Sequence, residues 1–165
     1  MPIPTLLFKG RTYPAFQGQG FAAQFAFPFA NLLCKGNGLD IGCKNADWAL
    51  PGAHPIDLDF DDDYDAENLP EGLFDYIFSS HMLEHYNGSW AQLLLYWQTK
   101  LDKGGILFLY LPHGTQQYWK SWNNKKHVHN FTPEIFREFF SETGWKNHFV
   151  TEYDLNNSFY AVAEK

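Results

Sequence analysis

Apolar residues along this chain gather into short runs, each closed by a polar or glycine-rich turn. Leu39 to Ile41 leads up to Gly42, Ile56 stands before Asp57, Phe74 to Phe78 ends at Ser79, and Ile106 to Leu111 is stopped by Pro112. Runs this short, flanked by turn residues, are what buried strands of a sheet covered on both faces produce. A different spacing follows Ser89, where Trp90, Leu93, Leu94, Trp97 and Leu101 recur at helical intervals behind the capping-box pattern Ser89-Trp90-Ala91-Gln92. This predicts an amphipathic helix packed on the sheet and ended by Lys103-Gly104-Gly105. Thr132 with Pro133 opens another helix, which runs to Glu142 and is ended by Gly144. Trp145 to Tyr153 and Phe159 to Glu164 read as a closing antiparallel hairpin joined around Asn156-Asn157.

Between these elements the pattern breaks in three places. Residues 1–37 are punctuated by Pro2, Pro4, Pro14, Pro28 and several glycines, so long regular elements are not expected before Phe21 to Leu33. One or two helical turns fit Gln19 to Ala26, ended by Pro28. The aromatics of this arm, among them Phe16, Phe21, Phe25, Phe27 and Phe29, make it a lid over a crevice or an edge cover for the sheet. Only Lys44 to Pro55 separates the first strand from the second, too little for an ordinary crossover helix, so at most one or two turns fit around Ala46 to Leu50. The loop from Gly114 to Phe131 carries Tyr118, Trp119, Trp122, Lys125, Lys126, His127 and His129; a loop this long in a small domain is either functional or disordered, and its aromatic anchors argue for an ordered one.

The elements then run strand, short crossover, strand, acidic loop, strand, helix, strand, loop, helix, strand, strand. That order predicts a single α/β domain over residues 1–165, with an N-terminal arm or lid at 1–37 and a core at 38–165. Its sheet is mostly parallel with an antiparallel C-terminal edge. In such sheets ligands bind beyond the carboxyl ends of the strands, so Gly42, Asp57 and Ser79 to His81 should converge on one crevice.

Charge narrows the ligand class. The net charge is -7, and seven carboxylates lie between Asp57 and Glu67, which disfavours a surface that holds nucleic-acid phosphates. The acidic run is not a calcium loop: Asp62 stands where the turn glycine belongs and Asn68 where the bidentate glutamate belongs. Cys34 and Cys43 are the only cysteines and lack the spacing of a structural zinc site, so they read as small buried hydrophobes and no metal is expected. Neither a signal-like apolar core nor a run of about 20 apolar residues occurs, which predicts a cytoplasmic protein without membrane contact. Pairing with a second copy is one way to cover the apolar surface of a chain with 19% aromatic residues.

GLDIGC, PIDLD, YDAENLPEGLFDYIFSSHMLEH and LDKGGILFLYLPH together resemble the class I S-adenosylmethionine-dependent methyltransferases over about residues 36–164. HVHNFTPE resembles small relatives of that family, and the short whole is similar to versions associated with phage genomes. The resemblance implies a trimmed, Rossmann-like class I methyltransferase fold and S-adenosylmethionine as cofactor. It places Asp40 and Gly42 against the methionine part of the cofactor, Asp57 on the ribose hydroxyls, Asp65 and Ala66 at the adenine, and Ser79, Ser80 and His81 beside the sulfonium. The family's first loop usually continues with two more glycines; here Lys44 and Asn45 stand where the second would be. Lys44 either meets the cofactor carboxylate or closes the site.

A sulfonium is already an activated leaving group, so positioning the acceptor supplies much of the rate and a base matters only where the acceptor loses a proton. His81, His113 and His129 are the candidate base or acceptor-positioning groups, because an imidazole titrates near neutrality. The expected partner is a small-molecule acceptor, a sugar or a flat ring facing Tyr118, Trp119 and Trp122. Two other readings stand beside this one. A domain that binds the cofactor or a partner without transferring a methyl would also fit the lost glycines. His81-Met82-Leu83-Glu84-His85 also satisfies the HxxEH pattern of inverted zinc peptidases, in which both histidines bind zinc and Glu84 is the base.

Overall fold

The structure, a computed structural model, describes residues 4–8, 10–14, 21–115 and 127–165. Phe16, Gln19, Gly20, Tyr118, Trp119, Trp122, Lys125 and Lys126 lie outside the described residues. Strands β1 (Thr5–Phe8) and β2 (Arg11–Pro14) form a two-stranded antiparallel hairpin. A 3₁₀ turn at Ala22–Phe25 leads into helix α1 (Phe27–Leu33). Pro28 lies in the first turn of α1, so it opens a helix rather than ending one: a first-turn proline has no backbone N–H to lose.

The main sheet contains β3 (Gly38–Ile41), β4 (His54–Ile56), β5 (Phe74–Ser80), β6 (Leu101–Pro112), β7 (Lys146–Val150) and β8 (Ser158–Glu164), in the order β4-β3-β5-β6-β8-β7. The four strands from β4 to β6 run parallel, whereas β8 and β7 are antiparallel to their neighbours. The β3–β4 connection holds a single 3₁₀ turn, Ala46–Trp48, with the Asn45 side chain accepting from the Asp47 N–H.

Helix α2 (Trp90–Lys100) begins at Ser89, whose hydroxyl accepts from the Gln92 N–H at 3.3 Å. It ends at Lys100, and Lys103-Gly104-Gly105 already belongs to β6. There the β5–β6 register jumps between Phe74/Leu101 and Tyr76/Ile106, and Gly104 takes a φ of +78° in the irregularity. Helix α3 (Pro133–Glu142) follows Thr132, whose side chain makes no cap hydrogen bond to the backbone, and Gly144 after it is left-handed.

Both faces of the sheet are covered, as the short apolar runs predict. One core packs Ile41, Ile77, Leu107 and Leu109 against Leu94 and Trp97 of α2 and Phe136 and Phe140 of α3. The other packs Tyr76, Phe78, Phe108 and Tyr110 against Ala26, Ala30 and Cys34, so the described part of the N-terminal arm covers a sheet face. Phe21 stacks on Trp48 at 4.8 Å, tying that arm to the short crossover. No described helix is long and apolar enough to cross a membrane.

Candidate active site

A cavity of about 520 Å³ opens beyond the carboxyl ends of β3, β4 and β5. Ile41 and Gly42 line it from β3, Ile56 to Leu58 from β4, Asp65 to Glu67 from the acidic loop, and Met82 with His85 to Gly88 from the turn after β5.

Each wall has a local cause. Gly42 takes a φ of +84°, and a Cβ there would fall 2.2 Å from Met82 Cγ, so both backbone and packing demand glycine. Its N–H donates to Ile56 O at 2.8 Å and carries the β3–β4 ladder one residue beyond the strand. Asp57, at the end of β4, accepts from the Lys44 N–H at 2.6 Å through one carboxylate oxygen and from the Asp59 N–H at 2.9 Å through the other. Asp65 caps its own turn, accepting from Glu67 and Asn68 N–H at 2.7 and 2.9 Å. The acidic loop is pinned from below by α2. Trp97 Nε1 donates to Ala66 O at 2.8 Å, Tyr96 accepts from the Leu69 N–H at 2.9 Å, and Lys100 donates to Pro70 O at 3.2 Å. Tyr86 donates to Glu67 across the rim, and that bond pushes its phenol up to about 12.

Of the residues singled out from the sequence, Gly42, Asp57, Asp65 and Ala66 come together on this wall. The others sit elsewhere. Asp40 is buried, accepts from the Leu50 N–H at 2.7 Å and has its carboxyl raised to about 7 by burial. Lys44 adopts a left-handed φ of +65° and holds its ammonium 5.9 Å above the Trp48 ring, away from the cavity wall. The Ser79 hydroxyl donates to Ile41 O at 2.8 Å and ties β5 to β3, while Ser80 is buried beneath the site. His81 has a φ of +52°, donates its N–H to Tyr110 O, and pairs its ring with the Ser158 hydroxyl at 3.0 Å. Burial pushes its imidazole down to about 3, so it stays neutral. His113 pairs with the Thr115 hydroxyl at 2.8 Å, and burial again lowers its pKa. His129 pairs with Tyr86 O at 2.8 Å and stacks on Phe131.

Glu67, Met82, His85 and Tyr86 line the cavity without having been singled out as wall residues. Glu67 comes from the acidic loop, whereas Met82, His85 and Tyr86 reach the cavity because the chain leaves β5 through the left-handed His81 into a 3₁₀ turn, Leu83–His85, a conformation with no local sequence signal. The α-helix needed to put His81 and His85 on one face for an HxxEH zinc site does not form there.

A family model described as a methyltransferase domain matches residues 18–150. The chain is a class I S-adenosylmethionine-dependent methyltransferase. Solved methyltransferases share its fold. A methyltransferase from Archaeoglobus fulgidus superposes with a TM-score of 0.66 at 14% identity, covering 93% of this chain and 100% of its own. The N-methyltransferase NodS of Bradyrhizobium japonicum, in complex with S-adenosyl-L-homocysteine, gives 0.60 at 15%, with 93% and 88% covered. A methyltransferase from Mesorhizobium loti gives 0.60 at 16%, with 85% and 97% covered. At these identities the likeness is one of fold. No curated protein matches the chain. The open end of a doubly covered parallel sheet is where such folds place ligands.

Proposed function

We propose that the cavity takes S-adenosylmethionine and that the protein transfers its methyl group to a small-molecule acceptor, a sugar or a flat aromatic ring. The observation that carries the reading is the Asp57 carboxylate, held at the end of β4 by two backbone N–H groups and facing the same cavity as Gly42, Asp65 and Ala66. Its remaining lone pairs suit the two ribose hydroxyls, by charge-assisted bonds that need no side-chain reorganisation. Asp65 and Ala66, held by α2, suit the adenine. The bare Gly42 backbone suits the methionine part, which must approach closely. The cavity volume lies within the ~300–1,000 Å³ of ordinary cofactor sites.

When bound, the cofactor supplies a methyl group on a positively charged sulfur, an activated leaving group. What this chain supplies is orientation: a fixed carboxylate for the sugar, a loop clamped by Trp97, and a glycine floor. Such positioning accounts for much of the rate of a group transfer of this kind. The neutral, enclosed His81 and the hydrogen-bonded His113 and His129 are not required as bases in this reading. Lys44 takes a left-handed φ of +65°, a conformation that a glycine adopts without strain.

Titration calorimetry with S-adenosylmethionine and S-adenosyl-L-homocysteine tests the reading on wild type and an Asp57→Ala variant. Saturable binding of one molecule per chain that the variant loses is expected. A folded wild type that binds neither compound would sink it.

A further inference from the structure

The turn after β5 buries a carboxylate that cofactor binding does not use. Glu84 is 0% exposed, and neither of its oxygens has a hydrogen-bond partner among the described residues. A buried carboxylate left this way is costly unless a cation or proton compensates it. The groups facing it are imidazoles. His85 Nε2 lies 3.6 Å and His81 Nδ1 3.8 Å from Glu84 Oε1, and the His127 ring sits 4.4 Å from that of His85 at 87°. One donor atom each from Glu84, His85 and His127 lie within 4.8 Å of one another.

This convergence is built by the backbone. Val128 and His129 both donate their N–H to Glu84 O, at 2.8 and 3.2 Å, and the His129 ring pairs with Tyr86 O at 2.8 Å. The segment after the long loop is thereby stitched onto the 3₁₀ turn, and His127 is delivered beside Glu84 and His85 from more than forty positions away in sequence.

We propose that Glu84, His85 and His127 form a site for a first-row divalent cation of the zinc type. Two neutral imidazoles and a carboxylate are a favourable donor set for zinc, and three protein ligands leave coordination positions open. Ligands held ~2.1 Å from a tetrahedral ion stand roughly 3.4 Å apart, close to the Glu84–His85 separation. His81, outside the donor set and bonded to Ser158, lies 3.8 Å from the same Glu84 oxygen. His85, 37% exposed in its side chain, also lines the cavity, so the open positions face the space where an acceptor would enter. A hydroxyl or carboxylate oxygen of that acceptor is the chemistry that would complete the shell. Ion binding itself requires neither the cofactor nor turnover.

The full-length protein, stripped with a chelator, is titrated with Zn²⁺ by calorimetry and with Co²⁺ by visible absorption. One ion per chain is expected, with cobalt d–d bands and no thiolate charge-transfer band, which excludes Cys43 as a ligand. His127→Ala and Glu84→Gln should weaken binding by more than ~100-fold, beyond the loss expected from an orienting partner alone. His85→Ala, at a partly exposed position, provides the same test where a buried substitution fails to fold. Asp61→Asn with Asp63→Asn in the acidic loop should change nothing. No saturable binding by the folded wild type overturns the proposal. So does binding that survives in folded His85→Ala, or binding that disappears with the acidic-loop pair.

Discussion

The Lys44 N–H donates to the Asp57 carboxylate at 2.6 Å, so the loop leaving β3 and the tip of β4 are fastened to each other at the floor of the cavity. One bond therefore shapes two walls. It also fixes the oxygen set assigned to the ribose. Asp57→Asn keeps an acceptor for Lys44 but loses the charge, and a roughly tenfold drop in S-adenosyl-L-homocysteine affinity is expected. Asp57→Ala loses both, and a drop of about 100-fold is expected. Calorimetry on the two variants separates charge from positioning; equal losses would show that the charge carries the whole effect and that the acceptor for Lys44 adds nothing.

Gly42 and Gly52 provide a matched pair for the glycine floor. Both have a positive φ, but a Cβ at Gly52 would meet nothing within 4 Å, whereas one at Gly42 would strike Met82. Gly52→Ala should cost about 1–2 kcal/mol for the left-handed conformation alone. Gly42→Ala should cost about 1–3 kcal/mol more from overpacking. Urea denaturation of both variants measures the difference, and equal stabilities would mean that Met82 moves aside freely.

Trp97→Phe removes the bond to Ala66 O while keeping an aromatic ring in the core. A loss of about 1 kcal/mol in global stability is expected. Hydrogen exchange should rise first at residues 65–70, because Tyr96 and Lys100 then hold the loop without their neighbour. Cofactor affinity should fall together with that local protection. Exchange that rises uniformly would place the role of Trp97 in the core alone.

Asp40 gives the fold a pH dependence of defined sign. Its folded pKa of about 7 lies above the ordinary 3.8, chiefly because burial disfavours the charge and despite the favourable Leu50 N–H bond. The folded chain therefore binds the proton more tightly than the unfolded one. The corresponding stability is fully present below about pH 4 and is lost as pH rises towards 7, at up to about 1.4 kcal/mol per pH unit. Asp40→Asn stays neutral and keeps an acceptor for Leu50. Its stability relative to wild type should accordingly improve between pH 5 and pH 8 in denaturation experiments; a pH-independent difference would contradict the assignment.

Much of the architecture was legible because both sheet faces are covered, which makes each central strand a short, mainly apolar run. Ser89 and Gly144 marked helix ends by mechanisms that act within a few residues. Pro28 and Gly104-Gly105 misled, since a proline either opens or stops a helix and a glycine pair either ends a helix or bulges a strand. Only packing decides between these outcomes. The hairpin β1–β2 has no counterpart in the apolar pattern. Residues just past strand ends reach the cavity, Gly42 and Asp57 among them, as do Asp65 and Ala66 on their turn. Side chains within strands follow the two-residue alternation instead. Asp40 lies on the face that holds Leu50, opposite Leu39 and Ile41, and Ser79 spends its hydroxyl on the neighbouring strand. The meeting of Glu84 and His85 with His127 depends on two backbone bonds between distant segments, which no local pattern announces.

β4 ends the six-stranded sheet on one side, with only His54, Pro55 and Ile56. Ile56 turns its carbonyl towards Gly42, so by the alternation of a parallel ladder the main-chain groups of Pro55 point outward. That position has no N–H. A second molecule laying a strand along this margin would find no donor at its centre and almost no length to pair with. A chain so rich in aromatic residues thereby carries, in one imino acid, a guard against edge-to-edge accretion at high concentration.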